Sequence, residues 1–220
     1  SAAEAYRPFL ERHWLAAGGL DPDRDLRLAV VPPPLVAQRL AEGAIDGFCA
    51  GEPWGSHAAA LGAGRIALST GDIWPNHPEK LLAIRADAVD REREPIVACT
   101  AAVIAAARWL DDPLNQDDAV RILASRAFPL LARETIAAAL EGRAGGTTLA
   151  HPLRFRAATR PRRDDAAWWL GQMRRWGHVS PDITDDVALA PWADDSIWRE
   201  AASRIAEPTP AAPPSPPVFP

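Results

Sequence analysis

Three short segments concentrate the residue types that can hold a small anion. Val31-Pro32-Pro33-Pro34 stiffens a loop, and Asp46-Gly47-Phe48-Cys49-Ala50-Gly51-Glu52-Pro53-Trp54 places a glycine at the end of an apolar run. Asp72-Ile73-Trp74-Pro75-Asn76-His77-Pro78-Glu79-Lys80 ends in the one lysine of the chain. Capture of an oxyanion requires accessible backbone N–H groups and a compensating positive charge. Gly51 meets the first requirement, because an anion can approach backbone that carries no Cβ. Lys80 meets the second as a compact point charge, where arginine would present a rigid two-pronged fork. Taken alone, Lys80 fits a solvated surface lysine equally well.

In this order and spacing the three segments resemble the nitrate- and bicarbonate-binding receptors of ABC uptake systems, the NrtA/CmpA family, together with their cytosolic relative NasS. The likeness covers most of residues 4–140, and its most specific elements are Gly51-Glu52-Pro53-Trp54 and His77-Pro78-Glu79-Lys80. The resemblance implies a type II periplasmic-binding-protein-like α/β fold of two lobes with the anion in the cleft between them. It implies that Lys80 contacts nitrate and that backbone around Gly51, Pro33 and Pro34 lines the cleft. The bicarbonate branch carries an acidic residue at the position of Lys80 and recruits calcium, so lysine favours nitrate or nitrite, with bicarbonate the alternative. Nitrate binders of the family have a histidine near the start of the opening helix, where this chain offers Arg7. The resemblance leaves two settings open. One is a transport receptor that delivers its anion to an ABC permease. The other is a cytosolic sensor that releases an RNA-binding antiterminator, toward which Gly51-Glu52-Pro53-Trp54-Gly55-Ser56 and residues 192–202 lean.

The remaining chemically capable residues have structural readings. Glu52 either orients Lys80 or caps a helix. Trp54 and Trp74 are more often core aromatics than ligand platforms. His77, between two prolines, shapes its loop. His13, His57, His151 and His178 lie on separate segments without a ligand spacing, so no metal and no cofactor is expected. Cys49 and Cys99 read as buried small apolar residues. No nucleophile elbow, P-loop or His-Glu-x-x-His is present, so a binding protein is expected; an enzyme on the same fold using Cys49 as nucleophile is the distant alternative.

Composition agrees with this class. The chain has 220 residues, 48% hydrophobic, with a formal net charge of −5. That balance gives no clustered basic footprint for direct nucleic-acid binding. No run approaches the roughly 18–20 apolar residues that a membrane-spanning helix needs.

The elements that must position these residues follow from periodicity. Residues 4–17 read as an opening helix closed by Gly18-Gly19, and 26–31 as a strand ended by the prolines. A helix at 35–42 and a strand at 45–50 complete a βαβ unit, which predicts parallel strands. A further helix reaches Leu61, with strands at 65–68 and 80–86. From residue 94 the pattern is helical, over 96–110, 116–126, 133–140 and 164–176. The expected division is an α/β lobe at 1–93, a mainly helical portion at 94–205 and a proline-rich disordered tail at 206–220. The opening helix has no partner strands before it, so the chain reads as a C-terminal portion whose upstream lobe is missing.

Overall fold

A computed structural model describes residues 7–144, 147–192, 194–209, 214–215 and 217–218. Helix α1, Arg7–Ala17, buries Phe9, Leu10 and His13 along one face. It stops at Gly19, whose φ of 84° is left-handed and is followed by a Leu20 N–H to Leu15 C=O bond of 3.0 Å. That closure needs a residue without a Cβ penalty. The three prolines end in a 3-10 turn at Pro33–Leu35 that opens α2, Val36–Ala41. Helix α3 is Trp54–Ala60, and α4 is Thr70–Ile73, between the segments expected as strands at 65–68 and 80–86. The Asp72 carboxylate starts α4 by accepting both the N–H and the hydroxyl of Ser69, at 2.7 and 2.9 Å.

The expected strands are not formed. Residues 26–31, 45–50, 65–68 and 80–85 lie outside any ladder, and Ala86 already belongs to α5, Ala86–Arg91. Among the described residues the ladder pairing is a two-residue hairpin, β1 (Arg143–Ala144) antiparallel to β2 (Thr147–Thr148). The helix of the expected βαβ unit is present in its place, but no parallel pairing occurs among the described residues. A strand exists only through its neighbour's N–H and C=O groups, and apolar sequence alone supplies none. Leu26, Leu28 and Val30 are accordingly exposed.

By contact, the chain forms two compact units, each assembled from separate stretches: 1–75 with 113–153 and 217–220, and 76–112 with 154–216. Neither boundary coincides with the expected division after residue 93. In the first unit, α7 (Gln116–Arg126) packs on α8 (Arg133–Leu140), and α3 packs on both α8 and α2. Val120, Leu131 and Ile136 form its centre, with Trp54, Phe128 and Leu140 against them. In the second unit, α6 (Arg93–Leu110) pairs with α11 (Ser196–Arg204). Val97, Ala101 and Ile104, at i, i+4 and i+7, meet Trp198, Ala201 and Ala202. Burying Val97, Ile104 and Trp198 contributes roughly 1.5–3 kcal/mol each. A smaller cluster joins α9 (Arg163–Arg175) to α10 (Asp185–Leu189) through Ala166, Leu170 and Leu189. No helix among the described residues is long and apolar enough to cross a membrane.

Two other expectations are corrected. Cys49 and Cys99 are exposed and in no disulfide. Cys99 points away from the Val97–Ala101–Ile104 face of α6, and Cys49 lies on a segment with no strand beside it. Within the expected tail, Glu207 is docked: its side chain is 1% exposed and it pairs with Arg156 and, at 3.6 Å, with Arg108. Residues 210–213, 216 and 219–220 of that tail lie outside the described residues.

Candidate functional site

The Gly51-Glu52-Pro53-Trp54 motif forms the entry to α3. The Gly51 carbonyl accepts the Trp54 N–H at 3.3 Å, and the Glu52–Pro53 peptide is cis. Glu52 Oε2 then accepts the N–H of Ser56 at 3.2 Å, so its carboxylate caps the first turn of the helix. A Cβ at Gly55 would sit 2.9 Å from Glu52 Oε1, so the carboxylate would have to shift to admit one. In the sequence Gly55 and Ser56 served only the sensor likeness; as a signal for the cap, a glycine three residues after a carboxylate that folds back was available. The Ser56 hydroxyl is buried and has no hydrogen-bond partner among the described atoms.

Trp54 is half-buried and meets Phe128 and His57 edge-on, with ring centroids 5.9 and 6.2 Å away. Its ring helps close the first unit's core, the arrangement favoured by an aromatic quadrupole. Pro33 is half-buried and Pro34 exposed, both in the turn that starts α2. Since α2 packs on α3, the Pro33 turn and the Gly51 motif sit on neighbouring helices of one unit. Arg7 begins α1 in the same unit, and its side chain lies outside the described residues.

Lys80 belongs to the second unit. Its side chain is 64% exposed, and its ammonium donates to Glu79 Oε1 and Oε2 at 2.9 and 2.7 Å. Asn76, at φ 56°, turns the chain just before it. His77 Nδ1 lies 3.1 Å from the Pro78 carbonyl, and burial pushes the imidazole below its ordinary pKa. The structure therefore brings Pro33, Gly51, Glu52 and Trp54 onto adjacent elements and places Lys80 on a different unit.

No group of three or more His, Cys, Asp or Glu able to hold a metal occurs among the described residues. A shallow cleft of about 200 Å³ in the first unit is lined by Ile66–Ser69, Asp72 and Thr148–Ala150, and includes none of the candidate residues.

Comparison with known proteins agrees with these motifs. The model of the NMT1-like family matches residues 6–124, more than half of the chain. The chain is 37% identical over 203 residues to the nitrate/nitrite binding protein NrtA of Synechococcus elongatus, a span covering 88% of this chain and 46% of that protein. It is 34% identical over 221 residues to the bicarbonate-binding protein CmpA of the same species, covering 93% of this chain and 49% of CmpA. The crystal structure of the periplasmic nitrate-binding protein NrtA from Synechocystis PCC 6803 matches with a TM-score of 0.81 and 31% identity, over 92% of this chain and 55% of that one. The chain thus spans about half the length of the curated relatives it matches and carries part of the type II binding-protein fold. By the family model and by these likenesses, it belongs to the NMT1-like family.

Proposed function

We propose that this chain is the Lys80-bearing portion of a substrate-binding protein for a small planar oxyanion, with nitrate or nitrite as ligand and an ABC permease as the recipient. It acts as a binding protein and not as an enzyme. The observation that carries this reading is the Lys80 ammonium, the chain's one lysine, which holds both oxygens of a carboxylate. A carboxylate is itself a planar oxyanion, and the same donor geometry suits nitrate. Nitrate accepts only weak hydrogen bonds, so its site must supply full charge as well as donors to offset desolvation. Within the first unit, Glu52 caps α3 beside Gly51, and Trp54 supports that helix from the core side.

Because the relatives are about twice as long, the test uses a chimera in which this chain replaces the matched section of the Synechocystis nitrate-binding protein. Titration calorimetry with nitrate, nitrite and bicarbonate should show saturable binding of nitrate or nitrite. Lys80→Ala should weaken it by roughly 0.2–1 kcal/mol, the range for a charge as exposed as this one. Lys80→Glu should abolish it. Full nitrate affinity in the Lys80→Glu chimera would sink the assignment, and bicarbonate binding without nitrate binding would transfer the site to the other anion.

A further inference from the structure

The chain passes from one unit to the other at residues 75–76, 112–113 and 153–154. Each of these steps has a proline at it or beside it, Pro75, Pro113 and Pro152, whose fixed φ stiffens the link. Two of the three are also tied together within the second unit. Asp111, the residue that ends α6, accepts the N–H of Phe155 at 3.0 Å and the N–H of Arg156 at 2.9 Å. One carboxylate thus holds the chain just before the 112–113 step and just after the 153–154 step. Bonds to a charged acceptor are stronger than those between amides. Arg156 is fastened a second time, because its guanidinium pairs with Glu207, which also faces Arg108 of α6 at 3.6 Å. Ala206, at φ 50°, makes the turn that presents Glu207, and the Glu207 N–H returns to the Ala202 carbonyl at 2.9 Å.

A neighbouring side chain would suffice to cap the 3-10 turn at Arg156–Ala158. Here the cap comes from a residue 44 positions away, beside the other passage. Units joined by one flexible link swing in any direction, and relative motion is their default. Two links pinned side by side leave rotation about the line through them. We propose that Asp111 is a hinge clamp: it makes the 112–113 and 153–154 connections move as one, with Arg156 and Glu207 as a second fastening, and so confines motion between the units to a single path.

The two cysteines supply the test. Cys49 lies in the first unit and Cys99 in the second, both exposed and in no disulfide, so spin labels on these thiols report the distance between the units by pulsed electron resonance. No ligand is added, which keeps the outcome independent of the anion assignment. The 220-residue chain should give a narrow distance distribution. Asp111→Ala should widen it by about twofold or more, while the Phe155 and Arg156 amides lose protection from hydrogen exchange and those of α6 and α11 keep it. Wild-type width once both amides exchange freely overturns the proposal, as do amides that stay protected without the carboxylate, or a wild type as broad as the variant. Should Asp111→Ala strip protection from α6 itself, Asp111→Asn decides. Its one acceptor oxygen should retain one of the two bonds and give an intermediate width; wild-type width with either amide released overturns the clamp.

Discussion

The ammonium of Lys80 donates to both carboxylate oxygens of Glu79, at 2.9 and 2.7 Å, so the charge proposed for the ligand is already answered by its neighbour in sequence. An arriving anion must displace that carboxylate. Both side chains are well exposed, and such pairs contribute only about 0.2–1 kcal/mol. Glu79→Gln should therefore tighten nitrate binding to the chimera by up to about fivefold. Titration calorimetry decides it; equal affinities would mean that Glu79 leaves Lys80 without cost.

His77 predicts a pH dependence. Burial lowers its pKa below 6.5, so between 6.5 and the folded value the unfolded chain binds more protons than the folded one. The stability that His77 contributes is complete above pH 6.5 and is lost as pH falls through the folded value. Thermal melts from pH 7.5 down to 5 should show a decline that His77→Asn reduces. An unchanged slope in the variant would show that the decline comes from other groups.

Gly142 sits at φ 73° at the base of the β1–β2 hairpin, and its carbonyl accepts the Leu149 N–H at 2.7 Å. A Cβ there would lie 2.3 Å from Pro152 Cβ and 3.3 Å from its Cα. The clash involves a rigid ring, and the backbone conformation disfavours any side chain. Gly142→Ala should cost on the order of 2–4 kcal/mol in denaturant unfolding. A loss below about 0.5 kcal/mol would mean that the loop relaxes.

Glu207→Ala should destabilise the second unit. It removes a carboxylate that is 1% exposed and leaves Arg156 and Arg108 without that partner. Both guanidinium groups reach solvent, so the expected cost is about 1–2 kcal/mol, below that of a fully buried pair. A melting temperature equal to wild type would show that the segment after α11 is held by other contacts.

Much of the helical framework was legible because its signals are local. Gly18-Gly19 closes α1, the prolines open α2, and the spacing of Val97, Ala101 and Ile104 marks the buried face of α6. Strands were not legible in the same sense. The run from Leu26 to Val31 has strand composition, but its pairing depends on residues elsewhere, and none of those described pairs with it. The burial expected for Cys49 failed for that reason too. Among the candidate site residues, the sequence located the Glu52 cap only as one of two readings. The choice turned on Gly55, whose missing Cβ leaves room for the carboxylate. Glu207 was hidden by its proline-rich surroundings, since nothing local announces a carboxylate whose partners are 51 residues away or further.

The threading of the chain also governs how it can be made. Residues 113–153 return to the first unit after 76–112 have begun the second, and the second is closed only by α11, at residues 196–204. During synthesis the first unit must wait for α7 and α8, and by then α6 has emerged without Trp198, Ala201 or Ala202 to cover Val97 and Ile104. Contacts of such sequence separation form late and slow folding. An apolar helix face therefore stays uncovered for roughly the 90 residues separating the two elements, or several seconds at ordinary elongation rates. For that interval the α6 face is a surface that a chaperone can cover.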